Sequence, residues 1–382
     1  MDYRTFILAM ATMFAAGSLY GWSGLIPSLQ DRFGIDASDA GMAFSFALAS
    51  FTGATIAAER IGSRYSSQLR LSAYAAIAAG AMLVASTSGS WFVFLASFSI
   101  AFGFSSGAIY MLGLSITTET KYSKVLTPVM VASFGLGGAV FGPVARLSAE
   151  TNTTHLVLIG LSASFTALAL LCAVGARAYQ SGPASAERPD GAAPASGQAS
   201  VGTLWLIFFL GSAAGLMTLG LASSIVESNG ASAALSSATL AGVAVANTLG
   251  RLSVAGLNRV FQIRTSLRIA ILWLSLGTLI CAVTDAAPMV ALGLVLVALG
   301  YGTLASAVPC RTEELFGPLR FKKVYGVVFT AWGLAGFCAP WIGGALFESF
   351  ATYAPVYALA FAGVMLAFGL SFIKQPAAQG AD

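Results

Sequence analysis

Apolar residues run along this chain in twelve long stretches, near 5–28, 38–58, 70–88, 91–114, 125–148, 154–177, 203–226, 236–257, 267–285, 288–310, 324–347 and 353–374. Each is close to the roughly 20 residues that an α-helix needs to cross a bilayer core. The stretches are continuous, without the two-residue alternation of a membrane barrel strand. They predict an all-α membrane protein of twelve transmembrane helices, with no length left for a sizeable soluble domain. The first stretch continues past 20 residues, which reads as a membrane helix and not as an excised signal. Most polar breaks are short. The exception, Tyr179 to Gly202, is rich in Pro, Gly, Ala and Ser and cannot bury a core. It follows the sixth stretch. The predicted organisation is a six-helix bundle over 1–178, a flexible linker over 179–202 and a second six-helix bundle over 203–382.

Composition agrees. Of 382 residues, 57% are hydrophobic and 9% charged, against about 25% charged in soluble domains. Too little charge is present for a water-exposed surface, for disorder or for nucleic-acid binding. The net charge of +4 matters less than where the cations fall. With the N-terminus placed in the cytoplasm, Arg4, Arg60, Arg64, Arg70, Lys121, Lys124, Arg177, Arg188, Arg259, Arg264, Arg268, Arg311, Arg320, Lys322, Lys323 and Lys374 lie inside; only Arg32 and Arg146 lie towards the outside. This asymmetry predicts both termini cytoplasmic and supports the count of twelve, because one missed span would scramble it. The expected location is the cell inner membrane, multi-pass.

The two halves echo each other. Phe134-Gly135-Leu136-Gly137-Gly138 in the fifth stretch matches Trp332-Gly333-Leu334-Ala335-Gly336 in the eleventh, and Glu59-Arg60 through Arg64 matches Asn258-Arg259 through Arg264, each at a spacing of about 198 residues. A parallel six-plus-six repeat is a transporter signature, with binding expected near the membrane midplane where the repeats meet.

Arg251 is the residue that the pattern fits least. It sits inside the eighth stretch, in Asn247-Thr248-Leu249-Gly250-Arg251, where an arginine costs on the order of 3 kcal/mol or more. It must face protein, water or an anion, and its planar fork of donors suits a carboxylate. The alternative is a shorter helix with Arg251 snorkelling to the surface. Asn247, one turn earlier on the same face, is placed to orient the guanidinium or bind substrate, or else to bond a neighbouring helix. Tyr20, Tyr110, Tyr301 and Trp332 offer apolar walls with one donor each, as binding residues or as packing. The four cysteines (Cys172, Cys281, Cys310, Cys338) stand singly, so no metal site or disulfide is expected, and the single histidine, His155, reads as a surface residue. No GxxxxGK[ST] sequence is present, so ATP is not the expected driver. No catalytic array is apparent and no cofactor is expected; the chain does not read as an enzyme.

These features resemble the major facilitator superfamily. Glu59-Arg60-Ile61-Gly62-Ser63-Arg64 is similar to its loop-two motif, with Glu for the usual Asp, and Gly138 with Gly142-Pro143 is similar to part of its helix-five motif. Tyr20-Gly21-Trp22-Ser23, Pro27-Ser28-Leu29, Gly215 to Gly220 and Phe329 to Gly336 resemble the oxalate/formate antiporter and monocarboxylate transporter branch. That resemblance implies a substrate carboxylate on Arg251, and cavity-lining roles for Tyr110 and Tyr301. Where animal-type monocarboxylate carriers place a titratable Asp, this chain has Asn247; where oxalate carriers add a lysine, it has Trp332. One deep cation balances one carboxylate, so the expected substrate is a monocarboxylate.

The function expected from sequence is secondary transport of a small organic anion by alternating access, with a coupling proton or counter-anion, by a chain that acts as a monomer in the lipid bilayer. The other readings are an exporter of amphiphilic or drug-like compounds, and a non-transporting membrane sensor of the same fold. Glu59, Arg60, Arg64, Glu119, Asn258 and Arg259 are the expected conformational latch.

Overall fold

A computed structural model describes residues 3–35, 37–57, 65–178 and 197–373. Glu59, Arg60 and Arg64 of the expected latch lie outside the described residues, as does the linker from 179 to 196. The described residues form thirteen α-helices: α1 Tyr3–Ala16, α2 Trp22–Phe33, α3 Ala37–Ala57, α4 Ser67–Thr87, α5 Trp91–Phe94, α6 Gly103–Thr118, α7 Ser123–Glu150, α8 Thr154–Ala178, α9 Gly197–Ser228, α10 Ala233–Val260, α11 Ile263–Val283, α12 Ala287–Phe350 and α13 Ala354–Leu370. A 3-10 turn at Gly17–Gly21 joins α1 to α2, and a π-helical stretch at Leu95–Phe102 joins α5 to α6.

Among the described residues, eight helical stretches are long and apolar enough to cross a membrane, and up to nine when the pair Tyr3–Gly21 and Gly24–Phe33, bent by 60°, is taken as one span. The 64-residue α12 is two spans, because Gly317 breaks it with φ 72° and ψ 165°, a conformation that only glycine adopts without strain. The shorter apolar helices Met42–Ala57 and Ala354–Leu370 bring the apolar helical segments among the described residues to twelve, one for each apolar stretch of the sequence. The helix after the linker starts at Gly197, earlier than the expected 203.

The chain divides into two compact units. The first comprises 1–120 and 133–197; the second comprises 121–132 and 198–382, so α7 changes unit part-way along its length. In the first unit α4 packs on α8 and α3 on α6; in the second, α11 packs on α13 and α10 on α12. These are the same pairings, span for span, in each half, which is the internal repeat seen as packing. The closest approaches repeat as well. A Cβ on Gly107 would lie 2.1 Å from the carbonyl oxygen of Phe51, and one on Gly302 would lie 2.1 Å from that of Asn247. Small residues let such helix backbones touch.

Guanidinium groups close two helix ends. Arg32 donates to the carbonyls of Ala85, Ser86 and Ser88 at the end of α4. Arg264 and Arg268 donate to the carbonyl of Ser371 just beyond α13, and Arg264 also to those of Phe372 and Ile373. The last carbonyls of a helix have no partner within it, so cations are favoured there.

Candidate functional site: a buried arginine on helix α10

Helix α10 presents two faces. Val245, Leu249 and Leu252 are exposed, as suits a lipid-facing stripe. Asn247, Arg251 and Val254 are buried. Arg251 retains only 1% of its surface, so it does not snorkel. Its Nε donates to Asn247 Oδ1 at 3.4 Å and its Nη1 to the carbonyl oxygen of Val131 at 3.4 Å. The guanidinium carbon lies 5.9 Å from the centre of the Tyr301 ring, within range of a cation–π attraction. Val131 belongs to the part of α7 that packs with the second unit.

Two members of the site hold each other. The Trp332 indole N–H donates to Tyr301 Oη at 2.7 Å, and both side chains are buried. With its donor engaged, Trp332 offers its apolar ring, which also stacks on Phe329 at 4.9 Å. Tyr301 and Asn247 are set by the α10–α12 contact: besides the Gly302 approach, a Cβ on Gly250 would lie 2.2 Å from the Leu299 carbonyl oxygen.

Four of the residues singled out from sequence are thus brought together: Arg251, Asn247, Tyr301 and Trp332. Tyr20 and Tyr110 belong to the first unit, where they cluster with Phe134 at 5.1 Å and 5.5 Å, and Tyr110 also meets Phe51 at 5.5 Å. Of the expected latch, Asn258 donates to the Lys124 carbonyl at 3.1 Å and accepts from Ser266 Oγ at 2.9 Å. Glu119 caps the end of α6 within electrostatic reach of Arg70, and Arg259 is exposed in the last turn of α10. His155 is exposed; Cys172, Cys281 and Cys310 are buried free thiols and Cys338 is half-buried.

Sequence reasoning missed the Val131 carbonyl, since a backbone acceptor leaves no mark on the residue that carries it.

No family model matches the chain. It is 26% identical over 360 residues to YhjX, an uncharacterized MFS-type transporter of Escherichia coli K12, a match covering 88% of this chain and 86% of that one. Among solved structures it is similar to FucP, a major facilitator superfamily transporter captured in the outward conformation, with TM-score 0.73, 16% identity and coverage of 97% of this chain and 99% of that one. It is also similar to the human organic anion transporter MFSD10 (TETRAN), with TM-score 0.70, 15% identity and coverage of 97% and 100%. The chain has the major facilitator fold. The likeness to MFS-type transporters runs through both units, and the apolar helices long enough to cross a membrane make this a multi-pass membrane protein.

Proposed function

We propose that this chain is a secondary transporter that moves a small organic anion, a monocarboxylate, by alternating access, in the manner of the oxalate/formate and monocarboxylate branch that its sequence resembles. The observation that carries the reading is the buried guanidinium of Arg251, held at long range by an amide oxygen, a backbone carbonyl and an aromatic face. A carboxylate offers the planar pair of acceptors that such a fork fits, and charge-assisted bonds of this kind are about twice as strong as neutral ones. The cost of keeping the cation away from water falls when an anion arrives, so the ligand-bound arrangement is favoured over the empty one.

Charge selects the ligand further. The position where oxalate carriers add a lysine holds Trp332, with its indole N–H already committed to Tyr301. A second carboxylate there would meet an apolar ring and lose its hydration without compensation. The similarity to a human organic anion transporter supports an anionic substrate. Asn247 does not titrate, so any proton that travels with the substrate travels on another group, the substrate's own carboxyl included.

The test is a thermal-shift titration of the purified protein with a panel of mono- and dicarboxylates. Monocarboxylates are expected to raise Tm in a saturable way, and Arg251→Lys, which keeps the charge and removes the fork, to weaken that binding at least tenfold. Stabilisation by dicarboxylates alone overturns the monocarboxylate reading. Transport of amphiphilic cations or neutral compounds that survives Arg251→Ala identifies the exporter instead, and ligand binding without flux in liposomes identifies the sensor.

A further inference from the structure

We propose that the Val131 carbonyl and the substrate carboxylate compete for Arg251, so that substrate binding unfastens residues 121–132 of α7 from α10. The proposal rests on the transporter reading and deepens it by naming the contact that an arriving anion displaces.

Two side chains of α10 hold this strip of α7, which packs with the second unit. Arg251 donates to the carbonyl oxygen of Val131 at 3.4 Å, and Asn258 donates to that of Lys124 at 3.1 Å. The donors are seven residues apart on α10 and the acceptors seven apart on α7, in opposite order. Seven residues are close to two helical turns. The strip therefore runs antiparallel to α10 along one seam, fastened near both of its ends. Asn258 is a fixed point in that seam, because its Oδ1 accepts from Ser266 of α11 at 2.9 Å.

Arg251 retains 1% of its surface, so a carboxylate reaches it only where a neighbour gives way. Asn247, Tyr301 and Val131 are not equally able to do so. Asn247 is one turn back on the same helix and travels with Arg251. Tyr301 is backed by the Trp332 indole at 2.7 Å, and by the α10–α12 contact that Gly250 and Gly302 keep close. Val131 belongs to α7, whose course from residue 133 onwards lies in the first unit. It is also inside that helix, where its carbonyl accepts from the N–H four residues on. A carbonyl oxygen has two lone pairs, so losing Arg251 leaves this one satisfied and avoids the cost of a buried orphan acceptor. Val131 is the neighbour that yields most cheaply.

The exchange favours the anion. The Val131 bond, at 3.4 Å, is longer than the roughly 2.7–3.2 Å usual for an N–H donor. A carboxylate accepts from a guanidinium at about 2.7–2.9 Å and brings a full charge. Because it binds where the Val131 bond has opened, its apparent affinity scales with the open fraction. Weakening the strap therefore tightens binding, which is opposite in sign to the damage done by loosening a merely supporting contact.

The test uses the full chain in lipid nanodiscs, titrated with the straight-chain monocarboxylates from formate to hexanoate. An α-hydroxy acid incorporated at position 132 turns the 131–132 amide into an ester. The Val131 carbonyl then becomes a poorer acceptor while every side chain stays in place. This protein is expected to bind the tightest of the series about fivefold more tightly than the unaltered chain. The same ester at 140–141, where Val140 is exposed, is expected to leave affinity unchanged. Asn258→Ala, which removes the other fastening, is expected to raise affinity about twofold to threefold. In the unaltered chain, hydrogen exchange of peptides within 121–132 is expected to quicken about fivefold at saturation, while peptides from 133–150 stay level. Unchanged or weaker binding by the 131–132 ester overturns the competition and leaves Arg251 as the anion site, as does level exchange of 121–132 at saturation. If the ester protein does not fold, unchanged or weaker binding by Asn258→Ala overturns it. Binding of no member of the series by the unaltered chain overturns the transporter reading and this proposal with it.

Discussion

Trp332 is the residue on which the proposed choice of a monocarboxylate turns. Its indole nitrogen bonds Tyr301, so truncation to phenylalanine leaves a buried hydroxyl without that donor, at a cost of about 1–3 kcal/mol. Trp332→Phe is expected to lower Tm by several degrees, whereas the double change with Tyr301→Phe is expected to cost less than the sum of the two singles, which paired thermal melts will show. Arg251 was legible in the sequence because an arginine in a lipid-spanning helix is expensive wherever it goes; the letters alone left open whether it reaches the surface, and its burial decides that. Its contact on α7 was not legible. Val131 is an apolar residue in an apolar stretch, and only the approach of two helices makes its carbonyl an acceptor.

At the scale of helices, the α10–α12 contact governs the site. Gly302 admits the Asn247 carbonyl so closely that a methyl group there would overlap it at 2.1 Å and crowd Asn247 Oδ1 at 3.0 Å. Gly302→Ala is therefore expected to push the two helices apart, destabilise the protein by about 1–3 kcal/mol and weaken monocarboxylate binding with it. Gly256, on the same α10, has open space around it, and Gly256→Ala is expected to be neutral or to stabilise by up to about 1 kcal/mol. Thermal melts and ligand titrations on the two variants check both directions. The spans were legible as apolar stretches, and the Gly317 break fell where the sequence left a polar gap. The 60° bend between α1 and α2 was not, because the stretch from 5 to 28 is apolar on both sides of it. The π-helical turn in the fourth span was equally hidden, since one extra residue per turn leaves a continuous apolar run unchanged.

Across the whole molecule, the repeat was visible first as a spacing of about 198 residues and then as matched helix pairings in each unit. What the spacing did not show is that the first repeat lends a piece of chain to the second unit. Residues 121–132 precede the linker in sequence yet pack with the second unit. A polypeptide severed within 179–196 would consequently yield a carboxy-terminal fragment that lacks twelve residues of its own fold, the Val131 acceptor among them. Expressed by itself, that fragment is expected to be unstable in detergent. Supplied with the amino-terminal fragment, it recovers the missing strip by complementation and the two co-purify, so this protein behaves as a pair of interdependent pieces even when its covalent continuity is gone.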